Sequence, residues 1–289
     1  MIYSPLRYPG GKGKLEPFME LLIRQTGHLG GTYIEPFAGG AGIALELLEK
    51  EIVGDIVIND FDKGIYSFWR AILSDTDRFI NDIRNIGLSI DEWNRQRQII
   101  DNCNRYSYEL GFATFYLNRT NRSGIIKGGV IGGAEQNGNW RMDARFNRES
   151  LIERIIKIAR RKKNIHLYNK DVNSFIQNYL PRYQQNAFVY FDPPYFGKGK
   201  QLYLNFFSYD DHVRIQKMIA NQVNCDWVIT YDDVQEIADI YQNHILKRFD
   251  LNYSAAVKRK ASEIIIFRRQ DMIPTDDQMQ RSGICVNLR

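Results

Sequence analysis

Cysteine and histidine are scarce in this chain, with three cysteines and four histidines in 289 residues. Cys103, Cys225 and Cys285 form no CxxC pair, and His28, His166, His212 and His244 are widely spaced. A disulfide framework and a structural zinc site are therefore not expected, and no metal is assigned. Also missing is any apolar run near the roughly 20 residues of a membrane span. The opening Met1-Ile2-Tyr3-Ser4-Pro5-Leu6-Arg7 does not read as a signal peptide, so a cytoplasmic location is expected. Nor is Arg7 to Lys14 a phosphate loop. Gly13 follows Lys12 where Ser or Thr is required, and no strand precedes it.

What is present is ordinary in bulk: 44% hydrophobic and 25% charged residues, enough for one sizeable α/β domain with an insertion or for two modest domains. The formal charge of +5 is unevenly spread. Residues 61–163 hold 19 Lys/Arg against 12 Asp/Glu, the remainder 20 against 22. The middle of the chain is thus the part suited to a polyanion, although basic segments also serve solubility alone.

The most informative stretch is Asp192-Pro193-Pro194-Tyr195, directly after the apolar run Ala187-Phe188-Val189-Tyr190-Phe191. That run reads as a buried strand, and two prolines cannot continue a ladder. Asp192 is thereby placed at a strand's C-terminal end, the edge where open α/β sheets bind ligands. Earlier, Thr32 to Gly42 followed by Ile43 to Leu48 reads as strand, glycine turn and helix, the opening unit of a nucleotide-binding fold. The glycine spacing is not GxGxxG, which favours a single adenosyl group over a dinucleotide. A second strand, Asp55 to Asn59, ends in Asp60, where such folds place the carboxylate for ribose hydroxyls.

From Phe61 to about Lys163 the alternation stops, and Ile65–Leu73, Phe79–Ile86 and Trp93–Leu117 read as helices. Asn118 to Asn147 is rich in glycine and suits a hairpin or loop whose Arg, Asn and Gln side chains read base edges; a plain surface loop is the alternative. The rhythm then resumes at Ile165–Tyr168, Ala187–Phe191, Trp227–Tyr231, His244–Leu251 and Glu263–Phe267, which brings the strand count to seven. Helical patterns at Asp210–Gln222 and Val234–Tyr241 fill the gaps. Phe196 to Ser208 is a glycine-hinged basic and aromatic loop beside the active edge. Residues 271–289 form a polar tail without an assigned role.

With Tyr8 to Lys12, Glu35 to Gly42, Asp60 and Asp192 to Tyr195 in that order, the sequence resembles the Dam-like adenine-specific DNA methyltransferases. The resemblance implies S-adenosyl-L-methionine as cofactor and a seven-stranded, doubly wound, Rossmann-like sheet. The catalytic domain would comprise residues 1–60 and 164–270, and a mainly helical target-recognition domain residues 61–163. Carried over by position, Tyr8, Lys12, Glu35, Gly39, Asp60, Asp171 and Asp192 would bind cofactor. Asp192, Pro193 and Tyr195 would act on the adenine amino group, which must leave the duplex to reach them. Arg119, Arg122, Lys127, Arg141 and Lys198 are the expected DNA contacts. Duplex DNA is the expected partner, a cognate restriction endonuclease a further one, and the chain is expected to be a monomer. No cysteine follows a proline, so the Pro-Cys nucleophile of ring-carbon cytosine methylation is missing. Amino methylation of cytosine or of RNA, and an inactive DNA-binding relative, remain open on the residues alone.

Overall fold

The computed structural model describes residues 4–7, 12–103, 105–197, 207–254, 258–284 and 288–289. Within these, Glu16–Gln25 (α1) precedes Thr32–Glu35 (β1), Gly42–Glu49 (α2) and Asp55–Asn59 (β2). The insertion then supplies Lys63–Ser74 (α3), Thr76–Asn85 (α4), Ile90–Asn102 (α5), Tyr108–Thr120 (α6) and Arg148–Arg160 (α7). Ile165–Tyr168 (β3), Val172–Asn178 (α8), Ala187–Phe191 (β4), Tyr209–Gln222 (α9), Asp226–Asp232 (β5) and Gln235–Ile240 (α10) follow. Ile245–Ser254 (β6), Lys258–Phe267 (β7) and Asp276–Arg281 (α11) complete the order.

All seven expected strands join one sheet in the order β3-β2-β1-β4-β5-β7-β6. The first five neighbours pair in parallel, while β7 enters antiparallel between β5 and β6. Alternate residues go to opposite faces: Tyr33, Phe188 and Val228 pack with α1, α2 and the inserted helices, whereas Ile34, Val189 and Ile229 pack with α8, α9 and α10. Burial on both faces is why these strands read as continuous apolar runs. The strand order reverses between β1 and β4, and the crevice beyond their C-terminal ends is where a doubly wound sheet receives its ligand.

The inserted helices share the core of the sheet's first face. Phe68 and Phe115 stack at 5.9 Å between ring centroids, with Phe79 edge-on to Phe115 at 5.3 Å. Trp93–Leu117, expected as one helix, is two. Ser107 accepts the Leu110 N–H at 3.1 Å and caps α6, giving the backbone a local partner that continuation of α5 would have had to replace. The polar tail carries α11 under a capping box of Thr275 and Gln278, and it buries Met272 and Met279. Two spaced methionines hold it where no periodic apolar face announces a helix. Among the described residues no helix is long and apolar enough to cross a membrane.

Candidate active site

The C-terminal ends of β1, β2, β4 and β5 present Glu35, Asp60, Asp192 and Asp232 to one edge. Antiparallel β7 passes that edge partway along its length, and its register opposite Asp232 delivers Glu263 there as well. Lys12 lies between the two sides. Its Nζ is 2.8 Å from Asp192 Oδ1, 3.0 Å from Glu263 Oε2 and 2.6 Å from Thr230 Oγ1, to which it donates. The Tyr195 hydroxyl donates to Glu263 Oε1 at 2.8 Å, and the Lys12 ammonium is 5.2 Å from the Tyr195 ring centroid. Thr230 donates to Asp192 Oδ1 at 3.1 Å and shares a 2.7 Å contact with the Tyr190 hydroxyl.

Exposure divides this network. Lys12 is 5% exposed and Glu263 1%, whereas the Asp192 side chain keeps 30% of its surface. Asp192 is thus the member offered to the crevice. Burial works to lower the Lys12 ammonium, but the Asp192 and Glu263 carboxylates outweigh it and its pKa rises above the usual lysine range. Burial raises the Glu263 carboxyl against the lowering effect of Lys12.

On the other flank, Asp60 accepts the Gly39 N–H on Oδ2 at 2.8 Å and the Asp62 N–H on Oδ1 at 2.9 Å. Burial, then the charge of Asp62, pushes its carboxyl up to about 7 against these two bonds. Gly39 adopts φ 47°, in the left-handed region, and its carbonyl accepts from Trp69 Nε1 at 2.9 Å. Glu35 accepts the Ala44 N–H at 3.1 Å, and burial raises its carboxyl to about 8. Asp171 caps α8 by accepting the Ser174 N–H at 3.0 Å. Lys12, Glu35, Gly39, Asp60, Asp171, Asp192, Pro193 and Tyr195 therefore all line one sheet edge. Tyr8, expected at the cofactor, and Lys198, expected at the DNA, lie outside the described residues.

The glycine-rich segment, expected as a hairpin or loop whose Arg, Asn and Gln side chains read base edges, uses its amides differently. Among its polar side chains, Asn118 is bonded to both the N–H and the carbonyl of Arg7, at 2.6 and 2.7 Å. Asn121 accepts from Trp93 Nε1 and donates to the Ile125 and Ile126 carbonyls. Gln136 bonds to Ile131, Gly133 and Met142 backbone. These three amides build the loop. Arg122, Lys127 and Arg141 remain exposed, while Arg119 is half-buried with its Nε donating to the Arg145 carbonyl at 2.6 Å.

Comparison with known proteins decides the chemistry of this edge. Residues 8–255 match the family model for D12 class N6 adenine-specific DNA methyltransferases. The chain belongs to that family. It is therefore an adenine-specific DNA methyltransferase, built on the seven-stranded α/β sheet described above. A curated relative, type II methyltransferase M.MjaIII of Methanocaldococcus jannaschii, is 25% identical over 257 residues, covering 77% of this chain and 85% of that one. Solved structures include the rRNA methyltransferase AviRa of Streptomyces viridochromogenes, at 12% identity and a TM-score of 0.38 over 92% of this chain and 88% of that one. A Legionella pneumophila protein matches at 12% identity and a TM-score of 0.34 over 90% and 85%.

Several residues of this methyltransferase's edge carry no motif signal. Thr230 and Asp232 close an apolar strand, as Asp60 does, and that same cue applies to them. Asp232 accepts the N–H groups of Phe196 and Gly197, both at 2.9 Å, and so holds the turn after Tyr195. Asn59 bridges the Pro36 and Lys170 carbonyls at 2.9 and 3.0 Å. Phe61 follows Asp60 and is 58% exposed. Glu263 precedes an apolar run, which in a parallel strand would put it at the wrong edge.

Proposed function

We propose that Asp192, held by Lys12 and Thr230, is the acceptor that prepares an adenine amino group for methyl transfer in duplex DNA. The amino nitrogen is a poor nucleophile because its lone pair is delocalised into the ring. Hydrogen bonds accepted from that NH2 by the Asp192 carboxylate and the Pro193 carbonyl return density to nitrogen as the N–C bond forms. Acceptors placed where positive charge develops stabilise the transition state more than the ground state. The nitrogen then releases one proton toward Asp192. Tyr195, its hydroxyl tied to Glu263, supplies a ring fixed for stacking on the extruded base.

S-adenosyl-L-methionine, the cofactor we assign, supplies an electrophilic methyl group carried on sulfonium. The crevice fits it. Each Asp60 oxygen accepts one backbone N–H and keeps a lone pair for a ribose hydroxyl, and Phe61 beside it offers an uncovered ring face. A Cβ built on Gly42 meets nothing within 4 Å, so the mouth of the glycine turn is open. Glu35, Gly39, Asp171 and Tyr8 are assigned to the same ligand, and Arg122, Lys127, Arg141 and Lys198 to the DNA. Residues 61–163 are assigned the recognition of sequence, and the chain a monomeric role. The name of the M. jannaschii relative favours pairing with a cognate endonuclease.

The observation that carries this reading is the 2.8 Å bond between buried Lys12 and half-open Asp192. The test is transfer from labelled S-adenosyl-L-methionine to mixed-sequence duplex DNA, digestion to nucleosides and identification of the methylated base. N6-methyladenine is expected from the wild type and none from Asp192→Ala, which keeps its DNA affinity. Methyl on cytosine would overturn the choice of base, and turnover by Asp192→Ala the assignment of the centre.

A further inference from the structure

Four arginines meet where the N-terminal segment crosses the inserted helices. Arg7 Nη1 donates to the Asn121 carbonyl at 3.2 Å, Arg119 Nε to the Arg145 carbonyl at 2.6 Å and Arg154 Nη1 to the Ser4 carbonyl at 3.0 Å. Each bond ties one guanidinium to backbone at or near another member of the group. Burial and then repulsion from Arg7, Arg154 and Arg145 depress Arg119 to about 9, and burial followed by Arg145 lowers Arg7.

Elsewhere in the insertion several cations do meet a carboxylate. Arg78 meets Glu109, Arg95 meets Glu92, Arg97 meets Asp101 and Lys157 meets Glu153. Among the described residues no carboxylate lies within 4.0 Å of any of the four clustered arginines. Glu153, whose charge reaches Arg154, is the partner of Lys157 at 3.1 Å. Converging like charges, partly buried and without a counter-charge, are unfavourable in the isolated protein. Arg145 is exposed and Arg7, Arg119 and Arg154 are half-buried, so the group opens to solvent on one side. Asn118 clamps Arg7 from both sides of its peptide, which makes the cluster part of a built structure and not a set of loose side chains.

We propose that Arg7, Arg119, Arg145 and Arg154 form a binding site for a backbone phosphate of the DNA, with Arg119 holding that phosphate instead of reading a base. This rests on the DNA-methylating function and adds a site to it. A phosphate brings the negative charge that the four guanidinium groups lack here, with oxygens for the N–H groups that the backbone carbonyls leave over, and its contact positions the duplex without specifying sequence.

Arg145→Ala is the first variant, because its exposed side chain leaves the fold intact. The slope of log K for DNA against log salt should fall by about 0.9, the loss of one phosphate contact. Affinity should drop equally for methylatable and unrelated duplexes, while the thermal midpoint of the free protein stays level or rises as repulsion is relieved. Arg145→Lys should keep the slope, and Arg154→Gln should repeat the Arg145→Ala result. Unchanged slopes in both neutral variants overturn the site. So does a loss confined to one sequence, which would make the cluster a base reader. A wild-type protein that fails to bind DNA would overturn the function itself, an outcome distinct from wild-type binding with unchanged slopes in the variants.

Discussion

The Tyr195 hydroxyl donates to Glu263 Oε1 at 2.8 Å, across 68 residues of chain. The ring that follows the Pro-Pro turn is therefore set by a strand running the other way. Glu263 also meets Lys12 at 3.0 Å, so one buried carboxylate fixes both the aromatic ring and the cation beside Asp192. Glu263→Gln keeps the shape and loses the charged acceptor. A hydrogen bond to a charged group contributes about 1.5–3 kcal/mol, so the single-turnover rate should fall about 10- to 100-fold with DNA affinity unchanged. A rate within about twofold of wild type would remove Glu263 from the positioning of the site.

Lys12→Met removes the cation between Asp192 and Glu263. A buried ion pair broken on one side costs about 3 kcal/mol or more, so urea unfolding should show a loss of that order. The double variant Lys12→Met/Glu263→Gln should regain most of it, because the remaining amide oxygen still accepts from Tyr195. Additive losses in the double-mutant cycle would contradict the coupling.

Gly124 has φ +77°, and a Cβ there would lie 2.5 Å from the Arg7 carbonyl oxygen. Gly124→Ala should displace the segment that leads to Lys12, costing about 1–3 kcal/mol and lowering turnover. Gly13→Ala, where the added carbon meets nothing within 4 Å, is the matched control and should be near neutral. Equal effects at the two positions would show that Arg7 does not dock on Gly124.

The Glu35 carboxyl is raised to about 8 by burial, with the Ala44 N–H opposing and the Asp192 charge adding to it. The folded state then holds a proton that the unfolded state, titrating near 4.5, has released. This contribution to stability is complete below 4.5 and is lost as pH rises toward 8, at up to about 1.4 kcal/mol per pH unit. Urea unfolding across that window should show wild type losing more stability with rising pH than Glu35→Gln. Parallel slopes would indicate that Glu35 is ionised in the folded protein.

The sheet was legible because its central strands are buried on two faces and write local apolar runs ended by an acid, glycine or proline, with the two outer strands adding shorter or mixed runs. That cue, with the glycine turn before Asp60 and the Pro-Pro stop after Asp192, placed both acids at the sheet edge where they lie. The break between α5 and α6 was missed because Ser107 acts as a cap only when the following helix has somewhere to pack. Glu263 could not be found, since the direction of β7 is settled by pairing with β5 and β6 and not by its own residues. The same holds for Asn118, Asn121 and Gln136, which look like base readers by composition but bond to the backbone. The arginine cluster is non-local in the same way, drawn from the N-terminal segment, α6, α7 and the turn before it. Strand formation depends on neighbours in the chain, whereas register and the convergence of side chains depend on long-range packing. The sequence by itself determined the sheet and the edge where its acids gather, because those are written in local apolar runs; tertiary packing decided that Glu263, from a strand running the other way, joins Lys12 and Tyr195 beside Asp192.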